Sequence, residues 1–68
     1  MQTTIRNSLS ALTEREREVL QLLATGLTYG KIAQELGVSP ETIKMHLKKV
    51  YRKLNAANKV EAISYLYK

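Results

Sequence analysis

The chain has sixty-eight residues, with eleven Lys/Arg against six Asp/Glu (net charge +5), 44% apolar and 25% charged side chains, and no cysteine. A chain this short buries only about 60% of its unfolded surface, which gives one small core and no room for a ligand cleft of roughly 300 Å³, so an enzyme is disfavoured. Lack of cysteine excludes disulfides and thiolate metal sites and suits a reducing cytoplasm, while runs as short as Leu22-Leu23-Ala24 exclude a bilayer span and Met1–Arg6 lacks the apolar core of a signal peptide.

Residues 1–11 are polar and aperiodic (Gln2, Thr3, Thr4, Asn7, Ser8, Ser10) and read as a tail or linker, leaving residues 12–68 as the folded domain. Thr13-Glu14-Arg15-Glu16 has the form of a capping box, a hydroxyl followed three residues later by a glutamate. Val19, Leu20, Leu22 and Leu23 continue it as a helical stripe, which Gly26 closes. Thr28 opens a second, short helix with Ile32, Ala33 and Leu36 inward, ended by Gly37. Ser39 caps a third helix with Pro40 at its first position, where a missing N–H costs nothing. Its inward row is Ile43, Leu47, Val50 and Leu54, and Asn55 stops it by tolerating a left-handed turn. Asn58 caps a last helix with Val60, Ile63 and Leu66 apolar. No alternating strand pattern occurs, so the expected fold is all-α with four helices.

The spacing of helices two and three carries more information than their existence. Ala33, Gly37 and Ile43 fit a helix-turn-helix over about residues 28–47, with its second, recognition helix at about 40–54. Ala33 is small enough for two backbones to approach, Gly37 can take the positive φ of the turn, and Val38 with Ile43 fills the angle between the helices. An ordinary antiparallel α-hairpin has no need of that triplet.

Charge is unevenly placed. Residues 1–27 are net neutral, residues 28–54 carry +4 and the remainder +1, so the excess falls on the helix-turn-helix. At about 100° per residue, Ile43, Leu47, Val50 and Leu54 define the buried side of the third helix. Glu41, Lys44, Met45, Lys48 and Arg52 fall on a band of the other side, with Lys49 at its margin. Lys44/Lys48, Lys48/Arg52 and Lys49/Lys53 are like-charge i,i+4 pairs, each costing a few tenths of a kcal/mol, roughly, in an isolated helix. A merely solvated face mixes signs, as the run Glu14-Arg15-Glu16-Arg17-Glu18 of the first helix does. The helix dipole favours Arg52 and Lys53 near the C-terminus but not Lys44 and Lys48.

These residues point to nucleic acid. A major groove about 12 Å wide admits one helix. Lys44 and Lys48 are placed to donate to guanine O6 or N7, and Met45 to pack on a thymine methyl. Lys49, Arg52 and Lys53 are expected on phosphates, as are the free amides at the starts of helices two and three, near Thr28 and Ser39, with Lys31 and the Tyr29 hydroxyl beside them. Should the lysines instead pair with carboxylates of their own chain, this reading fails. His46 is the only histidine, which excludes a His-based metal or catalytic pair. It is expected to pack beside the core row and make a hydrogen bond. Tyr51 reads as core edge. Tyr65, Leu66 and Tyr67 either close the core or form a partner surface.

Taken together, Leu12-Thr13, Arg15-Glu16, Glu18-Val19-Leu20, Leu22, Ala24-Thr25-Gly26-Leu27-Thr28, Ile32-Ala33, Leu36, Val38-Ser39, Thr42-Ile43-Lys44, His46, Lys53-Leu54 and Glu61-Ala62 resemble the LuxR-type (FixJ/NarL-like) helix-turn-helix domain of bacterial transcription regulators. The resemblance covers about residues 12–63. It departs from the family pattern at Tyr29-Gly30, Asn55-Ala56 and Asn58. It implies a four-helix domain that binds double-stranded DNA as a homodimer through its last helix, where Val60, Ile63, Ser64 and Tyr67 would make the contact. Base contacts are implied for Lys44, Met45 and Lys48, and phosphate contacts around Thr28, Thr42, Lys49 and Lys53. It further implies a cytoplasmic protein with no cofactor, no metal and no membrane, with RNA polymerase as a further candidate partner. In relatives the domain is usually the output half of a longer chain, so both a free-standing regulator and an excised domain fit. Region 4 of a bacterial sigma factor, which shares Leu27-Thr28-Tyr29 and Lys31-Ile32-Ala33, and a basic protein-interaction module are the alternatives.

Overall fold

The computed structural model describes residues 9–67, so residues 1–8 of the expected tail lie outside the described residues. Four α-helices follow in chain order: α1 (Glu14–Ala24), α2 (Tyr29–Leu36), α3 (Pro40–Leu54) and α4 (Lys59–Ser64). Short 3-10 turns, Leu9–Ala11 and Tyr65–Tyr67, precede and follow them. No strand occurs among the described residues.

Each helix begins where its cap residue predicts. Thr13 and Glu16 complete a reciprocal capping box, with the Glu16 amide donating to Thr13 Oγ1 at 3.1 Å and the Thr13 amide to Glu16 Oε1 at 3.0 Å. Thr28, Ser39 and Asn58 accept from the amides of Lys31, Thr42 and Glu61 at 3.2, 3.3 and 3.0 Å. At the start of α4 the Glu61 carboxylate reaches back to the Ala57 amide, at 2.7 Å.

The ends of α2 and α3 use one device with different residues. Gly37 (φ 70°) and Asn55 (φ 55°) both take the left-handed conformation. The amides just beyond them, Val38 and Ala56, then return to the carbonyls of Ala33 at 3.0 Å and Tyr51 at 2.8 Å, a six-residue closure that satisfies orphan carbonyls.

The core has two lobes. Val19 and Leu23 of α1, Ile32 and Ala33 of α2, and Ile43 and Leu47 of α3 form the first, beneath the helix-turn-helix. Leu12, Leu20, Val50, Leu54 and Ala62 form the second, which joins the C-terminal half of α3 to α1 and α4. Tyr51 and Ile63 are partly buried against both lobes. The four inward residues expected of α3 are all buried, so this helix runs as a beam through the whole domain. Tyr65 fastens its far end, its phenol donating to the Leu54 carbonyl at 2.8 Å.

Two expectations are revised. The ordered unit starts before Leu12, because Leu9–Ala11 form a 3-10 turn and Leu9 packs on the second lobe. Its carbonyl accepts from Arg17 Nη2 at 3.2 Å, which ties the turn to α1. The last α-helix is only Lys59–Ser64, followed by a 3-10 turn, and its inward residue differs from the expected Val60. Val60 is 71% exposed, whereas Ala62 is fully buried.

Candidate nucleic-acid interface

With Ile43, Leu47, Val50 and Leu54 committed to the core, the opposite side of α3 stands in solvent. Lys44, Lys48, Lys49 and Arg52 are exposed there, and Met45 between them is 60% exposed. Glu41 is the acidic member of this band, in the first turn of the helix, where the dipole favours it. Among the described residues the ion pairs are Arg15–Glu18 at 3.4 Å and Lys53–Glu16 at 2.8 Å. None of the side chains of Lys44, Lys48, Lys49 and Arg52 has an ion-pair or hydrogen-bond partner among the described residues. Among the described residues no ion pair offsets their mutual repulsion, and an anion laid along the ridge would relieve it.

Lys53 departs from expectation. Instead of standing free for a phosphate, it donates to Glu16 Oε1 at 2.8 Å, with 35% of its side chain exposed against 4% for the glutamate. The cause is geometric: nine residues beyond Lys44, at about 100° each, Lys53 projects from the opposite side of α3, toward α1. Burial alone would raise the Glu16 carboxyl, but the Lys53 ammonium and the Thr13 amide outweigh it and hold the group below its ordinary value.

Beside α3, the first turn of α2 contributes Thr28 and Lys31. Lys31 is exposed, while the Thr28 hydroxyl accepts from the Lys31 amide as the helix cap. Thr42 is half-buried, its Oγ1 sharing a hydrogen bond of 3.1 Å with Ser39 Oγ. Tyr29 differs more. Its ring packs on the first core lobe beside Tyr51, whose phenol is pushed up to about 12 by burial and by the neighbouring Tyr29 phenol. Tyr29 is thus part of the α2–α3 packing rather than a freely projecting side chain. His46 is half-buried as expected, but it has no hydrogen-bond partner among the described residues.

Of the four residues expected at a C-terminal contact, the structure exposes three. Val60 and Tyr67 are 71% and 76% exposed, and Ser64 is exposed with its hydroxyl donating to the Glu61 carbonyl at 2.6 Å. Ile63 is withdrawn, packing between the two core lobes.

Two features escaped the sequence reading. One is the bond from Tyr65 to Leu54. The other is the burial of Glu16, which is 3% exposed. Glu16 falls in the same helical row as Val19, Leu20 and Leu23, and that spacing was the available signal.

Residues 10–66 match the family model described as bacterial regulatory proteins, luxR family. The chain is 52% identical over 54 residues to the HTH-type transcriptional regulator MalT of Vibrio campbellii, covering 79% of this chain and 6% of that protein. It is 46% identical over 56 residues to a nitrate/nitrite response regulator homolog of Haemophilus influenzae, 82% of this chain and 27% of the relative. To the nitrate/nitrite response regulator NarL of Escherichia coli it is 34% identical over 64 residues, 94% of this chain and 30% of the relative. The chain therefore spans under a third of the length of these relatives. The fold also matches RcsB of Salmonella enterica serovar Typhimurium, solved bound to the promoter rprA, with a TM-score of 0.76 and 35% identity over 84% of this chain and 32% of that one. The four capped helices, the helix-turn-helix spacing and these matches agree: the chain belongs to the LuxR family of bacterial regulatory proteins.

Proposed function

We propose that the chain is the double-stranded-DNA-reading domain of a transcription regulator, with α3 lying in the major groove. The observation that carries this is the ridge of four exposed cations, without a partner among the described residues, on the side of α3 opposite its buried row. The RcsB structure, bound to a promoter, supports the choice of duplex DNA over an acidic protein. Lys44, Met45 and Lys48 lie in the N-terminal half of α3, the part of a recognition helix that meets base edges. Lys49, Arg52 and Lys31, with Thr28 and Thr42 at the helix starts, take the phosphates. Lys53, whose ammonium is paired with Glu16, and Tyr29, whose ring packs on the core beside Tyr51, are left out of the contact set.

A second copy would dock through the C-terminal face, where Val60, Ser64 and Tyr67 remain exposed. Two copies would then read a two-fold operator with half-sites about one helical turn, or a multiple, apart. The protein acts in the cytoplasm and catalyses no reaction in this reading.

Selection on randomised duplex tests the proposal. It should return a palindromic site on which Lys48→Ala costs about 1–3 kcal/mol and relaxes preference at one position. Arg52→Ala should weaken all sequences alike and reduce the salt slope by about one unit. Equal effects of both variants on random duplex would overturn the division between base and phosphate contacts. Failure to select any sequence would overturn the function.

A further inference from the structure

The Glu16–Lys53 pair is a costly way to join two helices. A carboxylate that is 3% exposed has been taken out of water, and replacing such a pair by apolar residues is often neutral or stabilising. Stability alone is therefore an incomplete reason for it, since apolar residues of similar volume could join the helices as well. Its placement gives a better one. Lys53 lies in the last turn of α3, about half a turn around the helix from Lys44. Glu16 is itself fixed at two points, by the Thr13 amide at 3.0 Å and by its backbone in the first turn of α1.

Resting on the duplex-reading function proposed above, we propose that Glu16 and Lys53 are a positioning pair that sets the roll of α3, and so the base preference of Lys44, Met45 and Lys48, without touching nucleic acid. An apolar row packs without a preferred direction and tolerates small rotations. A charge-assisted hydrogen bond of 2.8 Å has a narrow optimum and selects one of them. A roll of about 20° moves atoms on a helix surface of ~6 Å radius by about 2 Å. That displacement exceeds the whole range of distances over which a lysine can hydrogen-bond a base edge. Contacts to phosphates, reached by long flexible side chains from several directions, absorb such a shift.

The full chain carrying Lys53→Met, Lys53→Arg or Glu16→Gln tests this by fluorescence anisotropy. Each is titrated with the duplex selected by the wild type and with a random-sequence duplex, over a series of salt concentrations. The temperature is one at which circular dichroism shows the variant as helical as the wild type. Lys53→Met is expected to lose about tenfold on the selected duplex, less than twofold on the random one, and none of the salt slope. Lys53→Arg, which keeps the pair, should restore most of the selectivity. Glu16→Gln keeps an acceptor for the Thr13 amide, so it reports on the pair even if Lys53→Met does not fold. Equal losses on both duplexes with a salt slope flatter by about one would overturn the inference and make Lys53 a phosphate contact. Full selectivity in Lys53→Met, or in Glu16→Gln where only that variant folds, would overturn it by showing that the apolar row suffices. A wild type that selects no sequence refutes the duplex reading itself, before any variant is compared.

Discussion

Glu16 and Glu18 sit two residues apart in one alternating run of charges, and the structure assigns them opposite energetic roles. Glu16 is 3% exposed and accepts from the Thr13 amide and the Lys53 ammonium. Glu18 is 54% exposed at its side chain and faces Arg15, itself 46% exposed, at 3.4 Å. Removing Glu16 as Glu16→Ala deletes a charge-assisted bond worth up to about 3 kcal/mol in a dry site. Lys53 is one-third exposed and rehydrates when released, so about 1 kcal/mol of that survives. The lost Thr13 bond adds about 1 kcal/mol and the buried methylene ~0.8 kcal/mol. Relief of the carboxylate's desolvation offsets part of this, leaving a net cost of about 2 kcal/mol. A domain of this size has a total stability of roughly 3–10 kcal/mol, and each kcal/mol lowers Tm by about 4–8 °C. Thermal unfolding followed at 222 nm, at pH 7, should therefore place Glu16→Ala about 8–16 °C below the wild type. Glu18→Ala should stay within about 0.5 kcal/mol. Equal shifts for the two variants would refute the reasoning, since burial, the Thr13 bond and the Lys53 pair all set Glu16 apart from Glu18.

Further outcomes concern the acid range and the helix ends. The Glu16 carboxyl is held below its ordinary value near 4.5, so its contribution is present above that pH and is lost as pH falls through the folded-state value. Urea midpoints measured down the acid range should fall less steeply for Glu16→Gln than for the wild type, and parallel curves would show that another carboxylate governs acid unfolding. At the helix ends, Asn55→Gly should raise stability by about 0.5 kcal/mol and Gly37→Ala lower it by about 1 kcal/mol, because both positions have positive φ. A Cβ on Gly37 would meet nothing within 4 Å, so a neutral Gly37→Ala in urea unfolding would mean that the backbone conformation alone carries no cost.

Much of this fold was legible because its determinants are local. Thr13, Thr28, Ser39 and Asn58 each act over three residues, and a cap of that reach is written in adjacent letters. The inward row of α3 was likewise fixed by helical period, and the free side of the same helix followed from it. What was missed depends on contacts across the chain. Glu16 was counted with a solvated, sign-mixed run because its neighbours in sequence are charged, although its neighbours around the helix are Val19, Leu20 and Leu23. Lys53 reads as a phosphate contact because its partner lies 37 residues away. Leu9 passed as tail, since a single 3-10 turn has too few residues to show a period. At the other end the resemblance places Ile63 at a partner surface, whereas in the folded chain it packs against both core lobes, a contact made across the chain.

The two sides of α3 answer to different requirements. Ile43, Leu47, Val50 and Leu54 are nearly sealed from water in a fold with little core to spare, so exchange at any of them threatens the whole domain. Lys44, Met45, Lys48, Lys49 and Arg52 share the same helix, yet none of their side chains is an anchor for anything else described in the chain. Under the duplex-reading function proposed above, a variant library confined to Lys44, Met45 and Lys48 would explore new target preferences on an unaltered scaffold. Divergence among descendants of such a gene could proceed by the same route, rewriting the outer surface while the keel is kept.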